Sequence, residues 1–109
     1  MNKSIRLSDL MWFVGFYEGE GSCSTHLNGG GIRIQIGQRQ EWPLLKCQQI
    51  FNAGKIYFQS SNGAYKWQVT NQDAFEILQA IYPYLSPNLQ DKLLVVMEHW
   101  ISRLERNLG

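Results

Sequence analysis

The chain has 109 residues, 44% of them hydrophobic and 17% charged, and a formal net charge of +1. That length supports one domain, residues 1–109, around a single core. No apolar run approaches the roughly 20 residues of a transmembrane helix, and residues 1–9 carry neither a secretion-signal core nor a transit-peptide composition. No membrane is expected, and the expected place of action is the compartment of synthesis, bacterial or organellar.

The near-neutral total hides a polarised distribution. Gly21 to Thr70 holds five basic residues against one acid, a net of +4, and the remainder nets −3. A one-sided polyanion-binding face requires such segregation.

The first element is a helix. Ser8 suits its N-cap, Asp9 suits the positive end of the dipole, and the pattern runs to about Gly19. Leu10, Phe13 and Phe16 or Tyr17 share one apolar face. Trp12, Gly15 and Gly19 share another, where small residues four apart admit a second helix at close range. Glu18 and Glu20 end the helix at the pole where the macrodipole disfavours negative charge, so helix stability does not account for them. A divalent cation is the simplest partner for such a pair.

From Ser22 to Asn28 the pattern alternates, with Cys23, Thr25 and Leu27 on one side and Ser22, Ser24, His26 and Asn28 on the other. Three glycines then signal a hairpin, followed by Ile32, Ile34 and Ile36 inward and Arg33, Gln35 and Gly37 outward. Glu41 to Phe51 reads as a helix with Leu44, Cys47, Ile50 and Phe51 as its stripe, closed by Asn52-Ala53-Gly54. A second hairpin alternates Lys55, Tyr57 and Gln59 with Ile56 and Phe58, turns at residues 60–63, and returns with Lys66 and Gln68 against Tyr65, Trp67 and Val69. Asn71 is the expected cap of a short helix ending near Tyr82, with Phe75, Leu78 and Ile81 apolar and Pro83 as its stop. Ser86-Pro87 opens the last helix, whose inner face is Leu89, Leu93, Val96, Trp100 and Leu104.

The order αββαββαα predicts an α+β fold: an antiparallel four-stranded sheet with helices on one face and the other face open. The open face would carry Ser24, His26, Asn28, Arg33, Gln35, Tyr57, Gln59, Lys66 and Gln68, with Ser22 beside them and no acid. Arg, Lys, Gln and Asn make bidentate bonds to base edges, and a two-stranded ribbon enters a DNA major groove. His26 fits a base or phosphate contact better than a metal, and His99 reads as structural. Cys23 and Cys47 lack metal-binding spacing and read as small buried hydrophobes. There is no nucleophile elbow, phosphate-cradling glycine loop or zinc-protease signature.

The stretch Phe13-Val14-Gly15-Phe16-Tyr17-Glu18-Gly19-Glu20-Gly21 resembles the signature of the LAGLIDADG homing endonucleases. The likeness extends over nearly the whole chain, and the motif occurs once. It therefore implies the single-motif subclass, which works as a homodimer on palindromic or near-palindromic double-stranded DNA, reading it with saddle-shaped sheets. By resemblance, Trp12, Gly15 and Gly19 form the dimer contact, Glu20 is the metal ligand for Mg²⁺ (with Mn²⁺ able to substitute), and Glu18 is more structural. Gln38 matches the polar residue that positions active-site water. The family usually has a lysine after the pair matched by Tyr84-Leu85. The corresponding position here is Asn88, with Lys92 one helical turn later. A neutral Asn88 stabilises developing charge on a cleaved phosphate less well than lysine does. Two readings follow: a site-specific double-strand endonuclease, or a non-cleaving DNA-binding protein or intron-RNA maturase on the same scaffold.

Overall fold

The computed structural model describes residues 4–25 and 30–108. The elements follow the expected order: α1 (Leu7–Glu20), β1 (Gly21–Thr25), β2 (Ile32–Gln38), α2 (Trp42–Phe51), β3 (Lys55–Gln59), β4 (Ala64–Thr70), α3 (Asn71–Ile81), a single 3₁₀ turn (Tyr82–Tyr84) and α4 (Pro87–Leu108). The strands form one antiparallel sheet in the order β1-β2-β4-β3, so the two hairpins meet along β2 and β4 and leave β1 and β3 as edges. The predicted α+β architecture is what is observed.

Alternation decides the two faces. Ile32, Ile34, Ile36, Trp67 and Val69 are buried towards the helices, where they meet Phe13 and Tyr17 of α1, Leu44, Cys47 and Phe51 of α2, Ile77 and Leu78 of α3, and Leu93 of α4. At the centre of this core Phe13 packs edge-on against Phe51 (centroids 4.7 Å apart) and Trp67 (5.7 Å). Such pairs contribute about 0.5–1.5 kcal/mol beyond their area burial. Edge position changes one expectation: Phe58 points to the helix side, but β3 lies at the sheet's rim and leaves it 55% exposed, packed edge-on against Tyr65.

Four local details differ from expectation. Helix α1 starts at Leu7, one residue before Ser8, and has no side-chain cap. Asn71 does not cap α3. It sits at φ 55°, and its Oδ1 accepts from the Ile32 N–H at 3.2 Å, tying the start of α3 to the start of β2. Pro83 lies within the 3₁₀ turn that follows α3, so the helix tightens before it stops. Leu104, assigned to the inner face of α4, is 37% exposed.

Candidate nucleic-acid interface

The register fixes the outer sheet face row by row. Ser24, Arg33 and Thr70 form one row, Ser22, Gln35, Gln68 and Lys55 the next, then Gly37, Lys66 and Tyr57, and finally Gln59 beside Ala64. The described residues expected on the open face are therefore brought together there. His26 and Asn28 lie outside the described residues. Lys55 and Thr70 join the face although the sequence reading left them out of the interface. Lys55 has the same strand parity as Tyr57 and Gln59, a signal that was available.

These side chains hold each other. The Tyr57 hydroxyl donates to Gln68 Oε1 at 2.8 Å, the Gln35 amide lies 3.3 Å from the same oxygen, and Arg33 Nε donates to Ser24 Oγ at 3.3 Å. Among the described residues no strand position of this face carries a carboxylate; Asp73 of α3 lines a cavity at its rim with Lys55, Tyr57, Gln68 and Thr70. A polar face that is already ordered loses less side-chain entropy when it binds base edges or phosphates.

At the end of the sheet where β1 begins lie the motif carboxylates, and they have different surroundings. Glu18 Oε1 accepts from the Ser86 N–H at 2.7 Å. Ser86 immediately precedes α4, so this carboxylate sits at the positive pole of a second helix, which offsets its unfavourable place at the end of α1. Glu20 is exposed and bonds to no other described residue. Gly21 pairs with Ile36, which puts Gln38, two residues further along β2, at the same end of the sheet as Glu20.

The residue after Glu20 is held by packing. The ring of Tyr17 lies against Gly21 so closely that a Cβ there would collide with it. Tyr17 is 1% exposed, and its hydroxyl lies near the Cys23 thiol. Burial pushes the Tyr17 hydroxyl and the Cys23 thiol upward from their ordinary values. For Cys23, the Tyr17 hydroxyl and the nearby Lys92 charge act the other way. Lys92 lines a cavity of about 150 Å³ with Tyr17, Gly21, Ser22, Cys23 and Leu89, so α4 delivers one cation beside the motif end. Asn88 is exposed in the first turn of α4 and bonds to no other described residue.

The outward side of α1 differs in kind. Gly15 and Gly19 are exposed, and a Cβ on either would meet nothing within 4 Å. Glycine within a helix costs about 0.5–1 kcal/mol relative to alanine, and no described neighbour requires it here. Beside them Trp12 stacks on Phe16 at 5.2 Å, with Lys46 Nζ 4.4 Å over its ring, while Leu7, Met11, Trp42 and Leu45 are 40–64% exposed. Trp42 and Leu45 went unrecognised in sequence because a helix-start tryptophan looks like ordinary core.

Among the described residues no three His, Cys, Asp or Glu side chains gather into a metal site. Glu20 nevertheless suits Mg²⁺, a hard cation that keeps several waters and takes one or two carboxylates together with phosphate oxygens. Among the described residues no helix is long and apolar enough to cross a membrane.

No curated protein matches the chain in sequence. Its fold is that of several solved homing endonucleases. I-Vdi141I, an archaeal intron-encoded enzyme complexed with DNA, has a TM-score of 0.77 at 17% identity over 90% of this chain and 70% of that one. I-CvuI, in complex with its target in the presence of Ca, gives 0.69 at 18% over 85% and 68%. I-CeuI, a group I intron-encoded enzyme complexed with DNA, gives 0.70 at 16% over 99% and 62%. The chain thus spans about two thirds of the length of these structures. The family model for LAGLIDADG endonuclease matches residues 13–94, from the core of α1 into α4. With one motif, on α1, and that match over most of its length, the chain belongs to the LAGLIDADG endonuclease family.

Proposed function

We propose that the chain is a site-specific homing endonuclease that acts as a homodimer on a long palindromic or pseudo-palindromic DNA site, cutting both strands in a Mg²⁺-dependent hydrolysis. The observation that carries this reading is Glu20, an exposed carboxylate with no partner among the described residues, on a helix whose outward glycines meet no described neighbour. A twin helix laid against Gly15 and Gly19 supplies that neighbour and brings two copies of Glu20 to one axis. Trp12, Met11, Trp42 and Leu45 would border the contact. The structures it resembles include intron-encoded enzymes complexed with DNA, one of them archaeal, and an intron is the coding context this reading implies for the chain, in a bacterial or organellar genome.

In this arrangement Glu20 from each subunit offers carboxylate oxygens to a divalent cation. Mg²⁺, when bound, neutralises the scissile phosphate and lowers the pKa of a coordinated water. Gln38 orients water by hydrogen bonding, and Lys92 places positive charge at the same end of the sheet, where the chain has Asn88 in place of the usual lysine. The outer face supplies sequence readout through Arg33, Gln35, Lys66 and Gln68, and positioning through Ser22, Ser24, Lys55 and Tyr57.

The test is incubation of protein, Mg²⁺ or Mn²⁺, and a plasmid library of palindromic sites. Wild type linearises a subset of plasmids, and Glu20→Gln binds the same subset without cutting. Tight binding by wild type with no linear product in either metal would sink the nuclease reading and leave a binding protein.

A further inference from the structure

Helix α4 separates its charges by face. Asp91, Glu98 and Glu105 recur every seven residues, whereas His99, Arg103 and Arg106 stand at the four- and three-residue spacings that align side chains along another face. That second face meets the sheet at Gly30, just before β2. A Cβ on Gly30 would lie 3.6 Å from Arg103 Cδ, 3.9 Å from Arg106 Nη2 and 3.9 Å from His99 Nε2, and His99 Nε2 lies 3.0 Å from the Gly30 carbonyl oxygen. Arg103 also lies over the Trp100 ring, 5.3 Å from its centroid. Among the described residues no carboxylate pairs with either arginine.

Helix stability alone does not explain this grouping. The dipole favours a cation in the last turn, which covers Arg106, but it fades within that turn and does not explain Arg103 and His99 converging on the same backbone corner. The corner lies at the end of the sheet where Ser24, Arg33 and Thr70 form the last outward-facing row, and β1, β2 and β4 all end or begin beside it. The cluster therefore adds cations at the rim of the sheet, on its helix side, next to that row.

We propose that His99, Arg103 and Arg106 form a clasp for the sugar-phosphate backbone of duplex DNA, extending the footprint beyond the sheet to flanking base pairs without reading their sequence. This rests on the DNA-binding reading given above. The duplex presents one phosphate charge per roughly 1.7 Å of axis, so a strand leaving the sheet offers acceptors continuously along the cluster. Guanidinium groups suit this role because their fork matches phosphate oxygens.

Binding of the full chain to a duplex of arbitrary sequence, measured against salt concentration, tests the clasp. Each phosphate contact contributes about −0.9 to the slope of log affinity against log salt. The double substitution Arg103→Gln, Arg106→Gln should reduce the magnitude of the slope by about 2 while leaving base preference unchanged. Arg106→Gln alone, which leaves the Trp100 packing intact, should reduce it by about 1. Arg103→Lys with Arg106→Lys should restore the wild-type slope. A steep wild-type slope that neither glutamine variant changes, while Arg33→Gln lowers it, overturns the clasp and spares the DNA-binding reading. A wild type with no salt-dependent binding overturns that reading itself.

Discussion

Substituting alanine for Gly21 isolates the packing that holds the motif's end. Gly21 has φ −89° and ψ 160°, extended values open to any residue, so the backbone alone permits alanine. On chain entropy the change should even stabilise by about 0.4–1 kcal/mol. The structure predicts the opposite sign. The new Cβ would collide with the Tyr17 ring and lie 2.7 Å and 2.9 Å from two further ring carbons, well inside the roughly 3.5–4.0 Å of a relaxed carbon contact. Tyr17 cannot swing aside, since it is 1% exposed and packs on Phe13 with centroids 6.0 Å apart. Overpacking of this kind costs about 1–3 kcal/mol. For a domain of this size that is about 4–12 °C in melting temperature. Because Glu20 is the adjacent residue, cleavage should fall further than the stability loss explains. Thermal unfolding followed by circular dichroism in a double-mutant cycle with Tyr17→Ala provides the assay: with the ring gone, Gly21→Ala should become neutral or stabilising. An unchanged or raised melting temperature in the wild-type background, or the same loss in both backgrounds, would refute the argument.

Four other outcomes are expected. Glu18→Gln should lower stability by about 1 kcal/mol by weakening the charge-assisted bond to the start of α4, measured by urea unfolding, whereas Glu20→Gln should leave the midpoint unchanged. Gly15→Ala with Gly19→Ala should stabilise the isolated chain by about 0.5–1 kcal/mol per site yet weaken self-association in sedimentation equilibrium; undiminished association would remove the twin-helix contact. Gly54→Ala should cost more than about 2 kcal/mol, because Gly54 has φ +88° and a Cβ would strike the Trp67 indole; a smaller loss in chemical unfolding would contradict it. Finally, burial pushes the Cys47 thiol up to about 12, so at pH 8 it stays protonated and inert. Mass spectrometry after iodoacetamide treatment should show Cys23, only half-buried, modified first.

What the sequence determined by itself was everything that depends on short-range periodicity. The isoleucines at 32, 34 and 36 set one face of β2, the glycine-rich and Ser-Asn-Gly turns set the hairpins, and the Glu-Gly-Glu-Gly stretch after an apolar helix marked the family. Each of these signals lies within a few residues, so no knowledge of packing is needed to see it. What only tertiary structure decided were the contacts between distant segments. Glu18 and Ser86 are 68 residues apart and Ile32 and Asn71 are 39 apart, and no local pattern shows that a carboxylate ends one helix because it serves another. The glycines make the same point: Gly15, Gly19 and Gly21 follow one another within one motif, yet Gly21 is enforced by the Tyr17 ring while a Cβ on Gly15 or Gly19 would meet nothing within 4 Å among the described residues. Sequence gives the absence of a side chain at all of them. Only the packed molecule shows whether the space it leaves is filled from within or open to a partner.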